Sequence, residues 1–110
     1  METVSLNHLV DEQLDAARAA HSGRAAHTVH GGHDHPLRQT IIALAAGHEL
    51  GEHISPGEAT LQVLRGHVRL RDGDDTVEGS TGDYLVIPAA RHSLEAVEDS
   101  AVLLTVLAHQ

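Results

Sequence analysis

From Arg24 onward the chain has no helical repeat and breaks into short segments rich in Val, Ile, Leu and Thr, each closed off by turn residues. Nine such segments fall near 25–30, 38–45, 49–54, 60–65, 67–71, 75–78, 84–87, 92–97 and 101–107. Asp72-Gly73, between VRLR and DDTVEG, is a two-residue hairpin signal, and Gly79 to Gly82 marks another turn. A parallel α/β fold needs helical patterns between its strands, and none occurs after residue 23. The pattern predicts an all-β fold, either a closed barrel or a double sheet.

One helix precedes it, over residues 5–21. Leu6, Leu9, Val10, Leu14 and Ala17 repeat at helical spacing, and Ser5 or Asn7 can cap the N-terminus. Asp11 and Glu12 are expected in or near the first turn, where negative charge suits the helix dipole, and Gly23 is a natural stop. The expected division is a helical segment over 1–23 and one barrel domain over 24–110, a length suited to a single core. Tyr84 is the only aromatic side chain, so the core must be aliphatic and any pocket lacks stacking surfaces.

The net charge of −9 argues against nucleic acid and anionic membranes as partners. Without cysteine there are no disulfides and no thiolate metal sites. The N-terminal stretch has acids and no apolar run of signal-peptide type, and no segment approaches membrane-spanning length, so a cytoplasmic location is expected.

Two glycine-bounded hairpins carry the chemistry. In GHELGEHISPGEATLQVLRG, Gly47 is followed by five residues and then His53, and Gly66 closes the segment. In GDYLVIPAARH, Gly82 and Pro88 keep fixed spacing before His92. Together they resemble the two motifs of the cupin superfamily, G-x5-H-x-H-x3,4-E-x6-G and G-x5-P-x-G-x2-H-x3-N. The match covers roughly half the chain, and the ligands are only half kept. Ser55 stands where the second His of the first motif would be, and Ala59 where the Glu would be. In the second motif Ala90 replaces the Gly, His92 comes one residue early and the Asn is absent. The fifteen residues between Gly66 and Gly82 fit the short spacer of small microbial cupins.

The resemblance implies a small double-sheet jelly-roll barrel with a site on His53 and His92 for a divalent transition metal, with Zn, Fe, Mn, Ni and Cu as candidate ions. It implies a pocket walled by Ser55, Leu61, Val63 and Leu94, with Leu85 and Ile87, and a homodimer. Strand alternation agrees for His92, which shares a face with Leu94 and Ala96, and for Ala59, which shares one with Leu61 and Val63. Around His53 it is ambiguous, because Glu49 and Gly51 share its face, and its inward direction rests on the motif. Two imidazoles fall short of the three or four protein ligands such ions usually take. Gln39, Gln62, Glu49 or a histidine of the 27–35 segment are the candidates to complete the set.

That segment, HTVHGGHDHP, holds His27, His30, His33 and His35 around Asp34 and two glycines, part of a total of eleven histidines. It reads as a polar loop that takes up metal adventitiously, or as a flap across the barrel mouth that donates one ligand. Other chemistry finds no support. There is no G-x-S-x-G elbow, no phosphate loop at Gly31-Gly32, no helical H-E-x-x-H, and no EF-hand spacing at Asp72, Asp74 and Asp75. Three functions stay open. One is a module that binds a metal ion or small molecule in its barrel. Another is a metal-dependent enzyme, a dioxygenase, isomerase or dehydratase acting on a small, weakly polar substrate. The third is metal buffering by surface histidines.

Overall fold

The computed structural model describes residues 1–54 and 57–108, with His53 described by its backbone only. Helix α1 (Leu6–Ala19) leads into nine strands: β1 (Arg24–His30), β2 (Leu37–Leu44), β3 (Glu49–His53), β4 (Gly57–Arg65), β5 (His67–Asp72), β6 (Asp75–Ser80), β7 (Tyr84–Ile87), β8 (His92–Ala96) and β9 (Ser100–Ala108). They form a five-stranded sheet in the order β1-β2-β9-β4-β7 and a four-stranded sheet in the order β3-β8-β5-β6. Every pairing is antiparallel. The nine segments predict a closed or double-sheet β-fold, and the two sheets form the small double-sheet jelly-roll barrel that the cupin resemblance implies.

Alternation along each strand decides what lies between the sheets. Ala59, Leu61 and Val63 of β4, Val68 and Leu70 of β5, Leu85 and Ile87 of β7, Leu94 and Ala96 of β8, and Val102 and Val106 of β9 form one buried cluster. Even-numbered residues of β2 point the same way, since Leu44 belongs to this cluster and Ile42 packs on it. The odd-numbered Ile41 and Ala43 lie on the opposite face, where Val10, Leu14 and Ala17 of α1 cover them together with Ala101. The single apolar stripe of the helix is thus spent on the outer face of the larger sheet. Leu14 is almost completely buried, and burying a leucine contributes roughly 1.5–3 kcal/mol.

Three local expectations change. Ser5 is the N-cap, its Oγ accepting from His8 N at 3.2 Å, but the first turn contains no acid. Asp11 and Glu12 fall one turn later and make side-chain pairs instead, with Arg65 at 2.5 Å and with His8 at 3.0 Å. The central residues of the β5–β6 turn are Gly73 and Asp74, Gly73 at φ +59°, one position later than the expected Asp72-Gly73. Gly79 is a buried residue inside β6, where an added Cβ would come within 3.2 Å of Val63 and Leu85, so its missing side chain serves packing. The turn itself is closed by Asp83, whose N bonds Ser80 O at 2.8 Å.

The helix is tied to the barrel by charge as well as by packing. Arg18 Nε donates to Asp99 Oδ2 at 2.7 Å, and Asp99 Oδ1 accepts from Ala46 N at 2.8 Å. The Arg18 hydrogen bond, helped by that amide, holds the Asp99 carboxyl below the usual carboxylate range. On the outer face of the smaller sheet, His67 Nε2 lies 2.6 Å from Glu78, and that hydrogen bond lowers the Glu78 pKa. Arg71 pairs with Glu95 at 3.1 Å on the same face. No helix among the described residues is long and apolar enough to cross a membrane.

Candidate functional site

His92 opens β8 at the barrel end and is 2% exposed, the only buried ionisable side chain among the described residues. Its Nδ1 lies 2.9 Å from the carbonyl oxygen of Ala90. A carbonyl only accepts, so Nδ1 carries the proton of this bond. Metal-ligating histidines are commonly oriented by this kind of bond. The ring borders a cavity shared with Ile42, Leu50, Leu61, Ile87, Leu94 and Leu104. About 20 Å³ of it is open to the centre of a water-sized sphere, room for roughly one water molecule.

The backbone of β3 explains why alternation was ambiguous around His53. Leu50 pairs with Leu94, but His53 pairs with His92, three steps on β3 against two on β8. The extra residue is a β-bulge, which restores position 53 to the register of position 92. Glu49 pairs with Glu95 and so belongs to the solvent side of that sheet.

The remaining candidates separate clearly. Leu61 and Leu94 line the small cavity, while Val63 is buried deeper in the same cluster. Ala59 faces inward between Val106 and Ile87 and brings no donor to the position of the motif's Glu. Gln62 is exposed on the other side of β4. Gln39, on the odd-numbered face of β2, bonds Thr105 Oγ1 at 3.2 Å, turned away from the barrel interior. Ser55 lies outside the described residues. No three His, Asp or Glu side chains among the described residues are arranged to hold a metal ion. The histidines of the 27–35 segment therefore form no cluster of that kind, although the rings of His30 and His35 meet edge to face at 5.2 Å.

For a resident catalytic metal, the donor set among the described residues falls short. His92 is well oriented and His53 holds the right register, but Ala59 brings no donor to the motif's Glu position, and Ser55 at the second-His position lies outside the described residues.

A sequence model of the cupin domain matches residues 40–108, most of the two sheets and both hairpin motifs. The chain is a cupin. Among solved structures, this cupin is similar to a conserved Streptococcus pyogenes protein of unknown function, at 30% identity and a TM-score of 0.73 over 83% of this chain and 79% of that one. It is also similar to an RmlC-like cupin from Desulfovibrio desulfuricans, at 30% identity and a TM-score of 0.66 over 76% and 81% of the two chains. The salicylate 1,2-dioxygenase of Pseudoaminobacter salicylatoxidans shares the fold, with a TM-score of 0.75 at 22% identity. This cupin spans 91% of its own length there but only 34% of that enzyme's. No curated protein matches the chain.

One inward-facing group escaped the motif reading. Arg38 and Thr40 share the inner face of β2 with Ile42 and Leu44, a pattern that simple alternation of residues 38–44 already contains.

Proposed function

We propose that this cupin is a binding module whose barrel takes a single exchangeable ion or small molecule at the His53–His92 row, without a resident catalytic metal. The observation that supports it most is the environment of His92. A buried imidazole is oriented by the bond from its Nδ1 to the carbonyl of Ala90, beside a space of one water molecule walled by aliphatic side chains. One or two imidazoles with water completing the shell bind transition ions reversibly, whereas catalytic sites generally use three protein ligands. A bound ion would supply Lewis acidity. The chain's own residues orient His92 and keep bulk water out of the cavity.

The enzyme reading draws on one specific observation, the bulge that brings position 53 level with position 92, since bulges concentrate beside active sites. Elemental analysis of protein prepared without a His tag or nickel column separates the two. The binding reading predicts well under one equivalent of any metal per chain, with added ion bound less in the His53→Ala/His92→Ala double variant. One tightly held equivalent, lost in that variant, supports the enzyme. Metal lost only in His33→Ala/His35→Ala would give the loop the role of a buffer.

The homodimer implied by the cupin motifs has a suitable surface. Tyr84, Val86 and Leu107 are all more than half exposed on the outer face of the larger sheet. Light scattering that shows a dimer in the parent and a monomer in Val86→Glu would support that surface.

A further inference from the structure

The inner face of the larger sheet changes character toward its β1 edge. One transverse row runs Leu85–Leu61–Leu104–Thr40–Thr28, and the next runs Ile87–Ala59–Val106–Arg38. Each is aliphatic across β7, β4 and β9 and becomes polar at β2. The polar ends meet in a separate pocket of about 190 Å³, lined by Thr28, Gly32, His33, Arg38 and Thr40. Two hydroxyls, a guanidinium and an imidazole converge there, and no carboxylate is among the lining residues.

Charge and position together mark this corner. The chain carries 16 acids against 7 basic residues. Arg18, Arg65, Arg69 and Arg71 each pair with a carboxylate. Arg24, Arg38 and Arg91 pair with none among the described residues, and of these only Arg38 lies on the inner face of the larger sheet within this pocket. Its Nε instead donates to the backbone carbonyl of His35 at 3.1 Å, which orients the guanidinium without a carboxylate among the described residues.

The loop that closes the pocket is built for the position. Gly31 adopts φ +114°, and an added Cβ would lie 2.9 Å from Leu37 O and 3.0 Å from Arg38 Cα. Only glycine lets the chain fold back so closely over Arg38. His35 N then bonds Gly32 O at 3.1 Å, and Pro36 O accepts from Ala108 N at 2.8 Å.

We propose that the Thr28–His33–Arg38–Thr40 corner binds a small oxyanion, the carboxylate or phosphoryl group of a small molecule whose apolar part lies along Val106 and Leu104. Guanidinium and hydroxyl donors around one cavity match the lone pairs of such a group, and no carboxylate among the lining residues competes with it for Arg38. The site goes beyond the barrel reading, because it requires no metal at His92.

The test is a titration of untagged protein at low ionic strength, following the Arg38 Nε–H and the Thr28 and Thr40 amide signals by NMR. The probes are butyrate, its neutral isostere butyramide, and inorganic phosphate. At least one anion is expected to bind tenfold or more tightly than butyramide. Arg38→Gln is expected to abolish that preference, and Thr28→Val with Thr40→Val to reduce it. Stronger binding of butyrate assigns a carboxylate ligand, and stronger binding of phosphate a phosphoryl ligand. Equal affinity for butyrate, phosphate and butyramide overturns the proposal, as does a preference that survives Arg38→Gln. A preference lost in His92→Ala but kept in Arg38→Gln overturns it too, by moving the anion to the barrel imidazole.

Discussion

The barrel centre and the β1–β2 corner lie on one continuous inner surface, yet they are opposites. The centre is closed, aliphatic and barely larger than a water molecule around His92, while the corner is open, cationic and roughly tenfold larger. Within the same transverse row, Ala59 has no donor where the cupin motif has a carboxylate, and Arg38 has a full positive charge two strands away. The difference teaches that the side chains along one transverse row, and not the sheet itself, set the charge that a barrel can attract. A carboxylate at position 59 would draw a cation inward; a guanidinium at position 38 draws an anion to the mouth.

Substitutions at the two places should separate most sharply in stability. Leu94→Ala opens a cavity in the closed centre and is expected to cost about 2–5 kcal/mol in urea unfolding. Arg38→Gln removes a partly exposed charge at the open corner and should stay within about 0.5 kcal/mol of the parent. Equal costs would contradict the contrast.

Restoring the motif's carboxylate sharpens it further. Ala59→Glu places a charge at a position only 2% exposed and should destabilise the protein by about 1–3 kcal/mol without metal. Millimolar Co²⁺ or Zn²⁺ should then recover much of that loss, because an ion bound only by the folded state stabilises it. Thermal melts in which the ion raises the variant no more than the parent would show that position 59 does not reach the His92 row.

Gly31→Ala tests the corner's construction. The positive φ and the close approach to Leu37 and Arg38 predict a loss of about 1–2 kcal/mol. Anion affinity should drop with it while the environment of His92 is unchanged, as read from its ring NMR signals.

The smallest effect concerns pH. Asp99 and Glu78 have folded pKa values below their ordinary ones, so each contributes stability that is full above the ordinary carboxylate range. That contribution is lost as pH falls through the depressed folded values. Unfolding free energies measured from neutral to acid pH should therefore decline, and Asp99→Asn should flatten part of the decline. An unchanged slope would remove the Arg18–Asp99 tie from the account.

Most of the fold was legible because a half-buried strand writes its orientation in every second residue. The aliphatic alternation of 59–63 and 92–96, and the turn glycines, were enough to place nine strands and the inward direction of His92. What stayed hidden depends on register. The bulge in β3 is marked in ELGEH only by Gly51, and a lone strand glycine does not fix how the register shifts, so alternation alone could not place His53 beside His92. The meaning of Arg38 was hidden for another reason. Its alternation with Ile42 and Leu44 was visible, but the missing carboxylate partner is a property of the assembled surface. Gln39, Gln62 and Glu49 were chemically plausible donors that strand pairing puts on the wrong faces.

The most direct test of the central claim is a Co²⁺ titration of untagged, initially metal-poor protein, followed through the ring signals of every histidine. The account predicts that the rings of His53 and His92 respond together and that brief chelation reverses the change. A response confined to His27, His30, His33 and His35, or an ion already held at His92 that chelators cannot remove, would contradict it.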